Sequence, residues 1–185
     1  MITPEQSLKE LVEKLRDFEP GVLPYPLFME IARLSTLSTI ELVPIRADSG
    51  DRPEVLLTQR PDGDPWEGQW HVPGTVLLPT DRIEHTHDYR DAFARLLGKN
   101  GELKSGVKMA GEPVEVHTER RKSRRGAELS VVHYVPVVGE PEVGGYFSMD
   151  DFPHNVPSRG VIEHHVPMIQ KAVKRYISDT RQESR

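Results

Sequence analysis

The spacing of apolar residues divides the first sixty residues into two short helices followed by strands. Apolar side chains recur at helical spacing from Pro4 onward, and the pair Pro20-Gly21 ends this pattern. A second short helix is predicted over 26–34. From there the periodicity changes, and the β-branched and apolar runs at 37–46 and 54–60 predict strands.

The middle of the chain continues with strands around one helix. Residues 70–78 predict a strand that a Pro-Gly pair interrupts, and 88–98 carry the apolar periodicity of a helix. Two longer strands are predicted at 106–118 and 127–138. The polar residues 119–126 between them predict the tip of a hairpin.

A short strand and a long amphipathic helix close the pattern. The strand ends at 146–148, and apolar residues at helical spacing predict the helix over 162–177. Strands, a central helix, more strands and a closing helix indicate an α/β (α+β) fold, with a mixed sheet sandwiched between helices. We expect an N-terminal helical extension over 1–35, one domain over 36–178 and a polar, frayed tail over 179–185.

Composition and charge narrow the class of protein. The chain of 185 residues has no cysteine, which excludes disulfides, thiolate catalysis and cysteine-based zinc sites. The formal net charge of −5 disfavours broad binding to nucleic acids. There is no apolar run of the roughly 20 residues that a membrane span needs, and no signal-peptide pattern. We therefore expect a cytoplasmic protein with no membrane partner.

Residues 55–74 resemble the entry to a Nudix domain. That family shows an apolar strand that ends in arginine, a loop, and then tryptophan, an apolar residue and Pro-Gly before a catalytic helix. The corresponding residues here are Arg60, Trp70, Val72 and Pro73-Gly74. A tryptophan beside a tight turn is also compatible with simple core packing.

The resemblance implies a fold and a ligand class. It extends over about 36–178, and the run at 34–39 is similar to the GDP-mannose hydrolase branch of the family. It implies a nucleotide-type small molecule as partner, with Arg60 meeting a phosphate, Trp70 stacking on a base and Gly74 at the substrate. Arg60 and Trp70 are equally compatible with packing or pairing at the surface.

The helix that should carry the family's metal ligands departs from the family pattern. The Nudix signature places glutamates one helical turn apart, where their oxygens hold Mg²⁺ against a diphosphate. Residues 86–101 contain no glutamate, whichever glycine sets the register. The last turns carry Arg95 and Lys99 instead. The usual metal site is therefore absent.

A substitute metal site is conceivable just before and within this helix. Glu84, Asp88 and Asp91 are oxygen ligands of the kind that Mg²⁺ or Mn²⁺ prefers. His85 and His87 suit a catalytic general base or a softer metal ion. The alternative interpretation is a polar loop and a helix start, in which Asp88 caps the helix and Asp91 faces its dipole.

The hairpin tip carries a dense group of basic residues: Arg120, Arg121, Lys122, Arg124 and Arg125. These cations suit the phosphates of a nucleotide or an acidic surface. The alternative is a solvated charged tip that discourages edge pairing between sheets. Because no aromatic residues alternate with the basic ones, a nucleic-acid partner is not expected. His133 and His165 lie on apolar faces and are predicted to be core histidines.

Two functions follow from these observations. The first is a divergent, metal-dependent hydrolase of a nucleoside diphosphate linked to another group, with weak or atypical activity. The second is an inactive Nudix-fold module that binds a nucleotide or nucleotide sugar. Fold alone does not separate the two. The N-terminal helices are also suited to a homodimer contact.

Overall fold

A computed structural model describes residues 4–18, 23–47, 52–81, 89–97, 106–124, 126–157 and 159–183. Within these ranges the chain forms four helices and eight strands, in the α+β arrangement predicted from the sequence. In chain order they are α1 Pro4–Arg16, α2 Tyr25–Leu34, β1 Thr36–Arg46, β2 Glu54–Gln59, β3 Trp70–His71, β4 Gly74–Val76, α3 Arg90–Leu97, β5 Lys108–Met109, β6 Val114–Ser123, β7 Gly126–Val138, β8 Gly145–Ser148 and α4 His165–Glu183.

The sheet is built around one long parallel pair. β1 and β7 run parallel in register from Thr36 opposite Ala127 to Arg46 opposite Val137. The pairings around them are antiparallel: β2 and β4 pair with β1, β5 and β6 pair with β7, and β3 and β8 pair with β2. The sheet is therefore mixed, as the sequence predicted, and β1 lies in its interior.

Alternation along β1 directs side chains to two different helices. Ile40 and Leu42 pack on one face, in a cluster that includes Phe93 of α3. Val43 and Ile45 pack on the other face, in a cluster with Met168, Ile169 and other residues of α4. Since successive side chains of a strand point to opposite faces, this one strand supplies both cores. The sheet thus lies between α3 and α4.

The second helix, α2, lies at the start of this pair of strands. The helix α2 packs near the turn of the β6–β7 hairpin, where Gly126 has a φ of +135°. A Cβ at this glycine would strike the carbonyl oxygen of Ala32 in α2, so only glycine allows the close approach. Leu11 of α1 is half exposed. None of the helices in the described ranges has both the length and the apolar character of a bilayer-spanning segment.

The structure extends two elements beyond their predicted ends. The strand β6 continues to Ser123, so the predicted polar tip at 119–126 is mostly strand. The final helix continues to Glu183, past the predicted start of a frayed tail. Asp179 explains this continuation, because its carboxylate accepts hydrogen bonds from the Tyr134 hydroxyl at 2.7 Å and from Arg175 at 2.9 Å. The long-range bond to β7 anchors the last turns of the helix.

Candidate functional site

The face of the sheet that packs on α4 changes from apolar to polar along the length of its strands. At its apolar end, Val43 and Val132 are fully buried against α4. Two to four residues earlier on the same strands, the corresponding positions are occupied by Thr39, Glu41 and Ser130, which are also buried. Buried polar side chains on a sheet face require hydrogen-bond partners or a ligand. This polar end of the α4 face is the candidate site.

A cavity of about 230 Å³ opens at this place, beside the N-terminus of α4. Its polar lining includes Glu41, Arg121 and Glu128 from three strands of the sheet. Its apolar lining comprises Trp66, Val76, Leu78 and Ile162. Arg60, Gly74, His164 and His165 also line the cavity. The cavity is smaller than the roughly 300 Å³ at which sites for drug-sized ligands begin, so it suits one part of a larger molecule.

The guanidinium of Arg121 is enclosed by three carboxylates. Its nitrogens lie 3.1 Å from Glu41, 3.0 Å from Glu119 and 3.0 Å from Glu128. The side chain of Arg121 is only 13% exposed, and that of Glu128 is 4% exposed. Ser123 also donates to Glu128 at 2.7 Å. A fork of five N–H donors matches several carboxylates at once, so arginine is suited to hold such a cluster together.

Glu41 retains one oxygen that is not used by the cluster. Its Oε1 accepts from Arg121 and weakly from Thr39, whose hydroxyl also bonds Ser130 at 2.7 Å. Its Oε2 is buried beside Gly74 and has no hydrogen-bond partner among the described residues. Burial raises the pKa of Glu41 to about 7, although Arg121 and Arg60 lower it. Near neutral pH this carboxyl therefore exists in both protonation states.

A hydrogen-bonded relay fixes the orientation of His165. The Nδ1 of His71 donates to the Val72 carbonyl at 2.6 Å, and its Nε2 lies 3.1 Å from the Thr58 hydroxyl. The Val72 N–H in turn donates to Nδ1 of His165 at 3.3 Å. Burial holds the pKa of His165 well below its usual value. The ring is therefore neutral with its proton on Nε2, the nitrogen opposite the relay.

An aromatic wall stands at the side of the cavity. Trp66 is 8% exposed, and the ring of His164 meets it edge-on at 5.7 Å between centroids. The guanidinium of Arg124 lies over the same indole at 6.0 Å, and Arg124 also donates to the Pro65 carbonyl. Burial lowers the pKa of His164 to about 4, so this ring is neutral at physiological pH. The wall is flat, aromatic and held from two sides.

Of the three residues predicted to bind substrate, two line the cavity and one does not. Arg60 and Gly74 both line the cavity, and Arg60 is 4.0 Å from Asp64. Trp70 lies outside the lining, with its indole edge-on to Phe147 at 4.9 Å. The aromatic group at the cavity is Trp66, which the motif did not single out. It stands four residues earlier, in the loop that leads into β3, and the sequence offered no periodicity to distinguish the two.

The predicted metal ligands are placed only in part. Asp91 lies in the first turn of α3 and is half buried. Glu84, His85, His87 and Asp88 lie outside the described residues.

The described residues around the cavity do not fit a divalent metal ion. Across the described ranges, no three histidine, aspartate or glutamate side chains form a group suited to hold one. The carboxylates of the sheet are committed to Arg121 instead. On α3, Arg95 pairs with Asp81 and also donates to the Val76 carbonyl at 2.9 Å. The cations that pair with the acidic side chains in this region are therefore guanidinium groups of the protein.

The basic hairpin does not form a single surface. Arg120, Lys122 and Arg124 are exposed, whereas Arg121 points into the carboxylate cluster. Arg125 lies outside the described residues. The interpretation of a uniformly solvated tip is therefore wrong for Arg121, because pairing in β6 directs alternate side chains to the α4 face, opposite Glu128. The cluster was not predicted; the signal that could have indicated it is the presence of polar residues inside otherwise apolar strands.

Comparisons with known proteins identify the fold. No protein-family model matches the sequence, and no curated protein matches it. The Nudix domain of Shewanella oneidensis NrtR, complexed with ADP ribose, is 17% identical with a TM-score of 0.52, covering 89% of this chain and 97% of its own. A MutT Nudix hydrolase from Burkholderia pseudomallei is 17% identical with a TM-score of 0.51, and the match covers 74% of this chain and 98% of that protein. A mutT/nudix family protein from Listeria innocua is 17% identical with a TM-score of 0.53, and the match covers 78% of this chain and 96% of that protein. The chain thus has the fold of Nudix domains.

Proposed function

We propose that this Nudix-fold protein binds a nucleotide-type small molecule in the cavity at the N-terminus of α4 and does not hydrolyse it. The observation that supports the proposal is that three carboxylates bind the guanidinium of Arg121. A metal that activates water needs carboxylate oxygens free to coordinate it. Here Arg121 already binds one oxygen of each of the three carboxylates, so this polar wall is better suited to recognition of a ligand than to metal binding.

The ligand class rests on the fold and on the lining of the cavity. The NrtR Nudix domain, which shares the fold, is complexed with ADP ribose. In the present chain, an aromatic wall at Trp66 and a polar wall at Glu41 face the same small cavity. An apolar and aromatic lining with a few placed polar groups is typical of small-molecule sites.

A metal-dependent hydrolase remains the second candidate. Asp91 favours it, because this half-buried carboxylate lies in the first turn of α3, directly after the sequence segment that holds Glu84 and Asp88. Those three carboxylates would supply the oxygen ligands for Mg²⁺ or Mn²⁺, and His85 or His87 the general base. Each of these roles is a prediction from the sequence.

Binding and turnover measured on the same protein separate the two functions. Purified chain is titrated calorimetrically with nucleosides, nucleoside diphosphates and their sugar conjugates, and the same compounds are assayed for hydrolysis with Mg²⁺, Mn²⁺, Zn²⁺ or chelator. Binding without turnover under every metal condition supports the proposal. Metal-dependent turnover that Asp88→Ala removes establishes the hydrolase. Absence of binding to every compound overturns the proposed function.

A double variant tests the predicted metal ligands independently of substrate. If Asp88 and Asp91 hold a metal, the wild-type chain gains thermal stability on addition of Mn²⁺, because a ligand of the folded state stabilises it. Asp88→Ala combined with Asp91→Ala then abolishes the gain. The matched control, Asp62→Ala combined with Asp150→Ala, changes two exposed aspartates elsewhere and keeps it. Equal stabilisation in both double variants eliminates this ligand set.

The branch of the ligand class, a homodimer and a cytoplasmic location are further predictions. Nucleotide sugars of the GDP-mannose type belong in the ligand panel because of the sequence resemblance at 34–39. A homodimer through α1 and α2 would show in light scattering, and deletion of 1–35 would return it to a monomer. A cytoplasmic location is testable by fractionation of cells that express the chain.

A further inference from the structure

The two cations that line the cavity, Arg60 and Arg121, already have carboxylate partners, which disfavours a phosphate group. Arg121 already binds the carboxyl groups of Glu41, Glu119 and Glu128. Arg60, the other cation of the lining, lies 4.0 Å from the carboxylate of Asp64. A bound polyphosphate would therefore compete with these carboxyl groups for both guanidinium groups. Like charges brought together in such a site oppose binding.

The hydrogen-bonding groups left over in the cavity suit an uncharged ligand. Glu41 has a buried Oε2 without a partner among the described residues. In its protonated form, which the pKa of about 7 makes available at neutral pH, this carboxyl can donate as well as accept. His165 is neutral, and the bond from Val72 to its Nδ1 places the proton on Nε2. The cavity therefore offers a neutral donor from α4 and a carboxyl from β1.

The aromatic and apolar lining of the cavity suits a flat ring. Trp66 forms one wall, and Val76, Leu78 and Ile162 provide apolar surface. The contacts of Trp66 with His164 and Arg124 hold its indole in place. A fixed indole is a stacking surface for an aromatic heterocycle, because every such ring has a π-face. The volume of about 230 Å³ accommodates a ring with little else.

We propose that the cavity recognises an uncharged nitrogen heterocycle of the nucleobase class and leaves any attached phosphate groups outside. Glu41 and His165 bond the edge of the ring, and Trp66 contacts its face. This inference rests on the proposed nucleotide-type ligand and specifies which part of that ligand enters the protein. Its consequence is that a nucleoside carries most of the affinity and the diphosphate adds little.

Intrinsic fluorescence makes the cavity directly observable. The chain has two tryptophans, and Trp70 packs on Phe147 outside the lining. Trp70→Phe leaves Trp66 as the reporter. The variant is titrated with four nucleosides, the matching nucleoside diphosphates and inorganic pyrophosphate, at low salt with chelator. Calorimetry on the unaltered chain repeats the same titrations, so that the result does not depend on the variant.

The expected result is a saturable change of fluorescence with at least one nucleoside. Its Kd should lie within about threefold of the Kd of the matching diphosphate, since the phosphates stay outside. Pyrophosphate should neither change the signal nor compete. A diphosphate that binds more than about tenfold more tightly than its nucleoside, or competition by pyrophosphate, overturns this inference and leaves the proposed function intact. No binding in either measurement overturns both.

Variants of His165 test the recognition of the ring edge. His165→Gln keeps a side-chain acceptor and a donor, and binding should stay within about threefold of wild type. His165→Leu removes both, and we expect a loss of about tenfold or more for the nucleoside. Glu112→Gln, an exposed change, is the control and should behave as wild type. Equal nucleoside affinity in the Gln and Leu variants, both folded by circular dichroism, would contradict the role of His165. If the leucine variant does not fold, the comparison of nucleoside with pyrophosphate decides the inference.

Discussion

Replacing Glu41 with glutamine removes a titrating carboxyl from the interior while keeping its size and one of its hydrogen bonds. The charged and titratable groups that face Glu41 come from several elements: Arg121 and Glu119 of β6, Glu128 of β7, Arg60 after β2, and His164 and His165 at α4. Burial outweighs the arginines and raises the pKa of Glu41 to about 7. The folded protein therefore holds this proton more tightly than the unfolded chain does.

The sign and size of the effect follow from linkage. A carboxyl with a raised pKa contributes stability that is present below its unfolded value of 4.5 and lost as the pH rises through about 7. At about 1.4 kcal/mol for each tenfold change in proton affinity, the complete titration is worth about 3 kcal/mol. Most of this loss falls between pH 5 and pH 8. The glutamine variant cannot show it.

The assay is urea unfolding of both proteins at half-unit steps from pH 5 to pH 8 and constant ionic strength. We expect the free energy of unfolding of Glu41→Gln minus that of wild type to rise by about 2–3 kcal/mol across this range. His164 and other groups titrate in both proteins and cancel in the difference. Glu112→Gln, an exposed control, should run parallel to wild type. A parallel course for Glu41→Gln as well would refute the raised pKa and show that the arginines keep this carboxyl ionised.

Three smaller changes test neighbouring contacts. Gly74→Ala should destabilise the fold by about 1–3 kcal/mol, because the new methyl group would fall against the Glu41 carboxylate. The control Gly145→Ala meets no atom closer than 3.8 Å and should leave stability unchanged, so equal urea midpoints for the two variants would contradict the clash. Arg95→Met should cost about 1–3 kcal/mol by leaving Asp81 without its cation, and a loss below about 0.5 kcal/mol in the same assay would show that the pair is dispensable. His164→Gln should reduce the loss of stability on acidification below pH 6.5, because the lowered pKa of His164 makes the folded state resist protonation. If the melting temperature of the variant falls with decreasing pH as steeply as that of wild type, this expectation is wrong.

The sequence predicted the fold well because its signals were local. The apolar periodicity over 88–98 predicted α3, and the Pro73-Gly74 pair correctly marked the break between β3 and β4. These signals act through the backbone and through faces of single elements, so a window of about ten residues contains them. The core position of His133, between Tyr89 and Phe93, is confirmed for the same reason.

The candidate site was predicted only in part because its contacts are distant in sequence. Glu41 and Arg121 are 80 residues apart, and nothing near either residue indicates the other. Arg121 instead belonged to a basic run, where exposure is the usual outcome. Arg60 and Gly74 were identified because the family resemblance covers their loop. Trp66 lies in the loop before β3 and Trp70 begins that strand, and only the three-dimensional path of the chain places one at the cavity and the other against Phe147.

The division of one sheet face into an apolar half and a polar half affects how such a site can evolve. Most binding sites are carried by loops, which tolerate substitution without loss of the scaffold. In this protein, Glu41 and Val43 stand two residues apart on the same strand, one at the cavity and one in the core. Any shift of β1 that alters the cavity also disturbs the packing on α4. A change of ligand specificity is therefore expected to require compensating mutations in the core, and stabilising substitutions among those apolar neighbours should precede it.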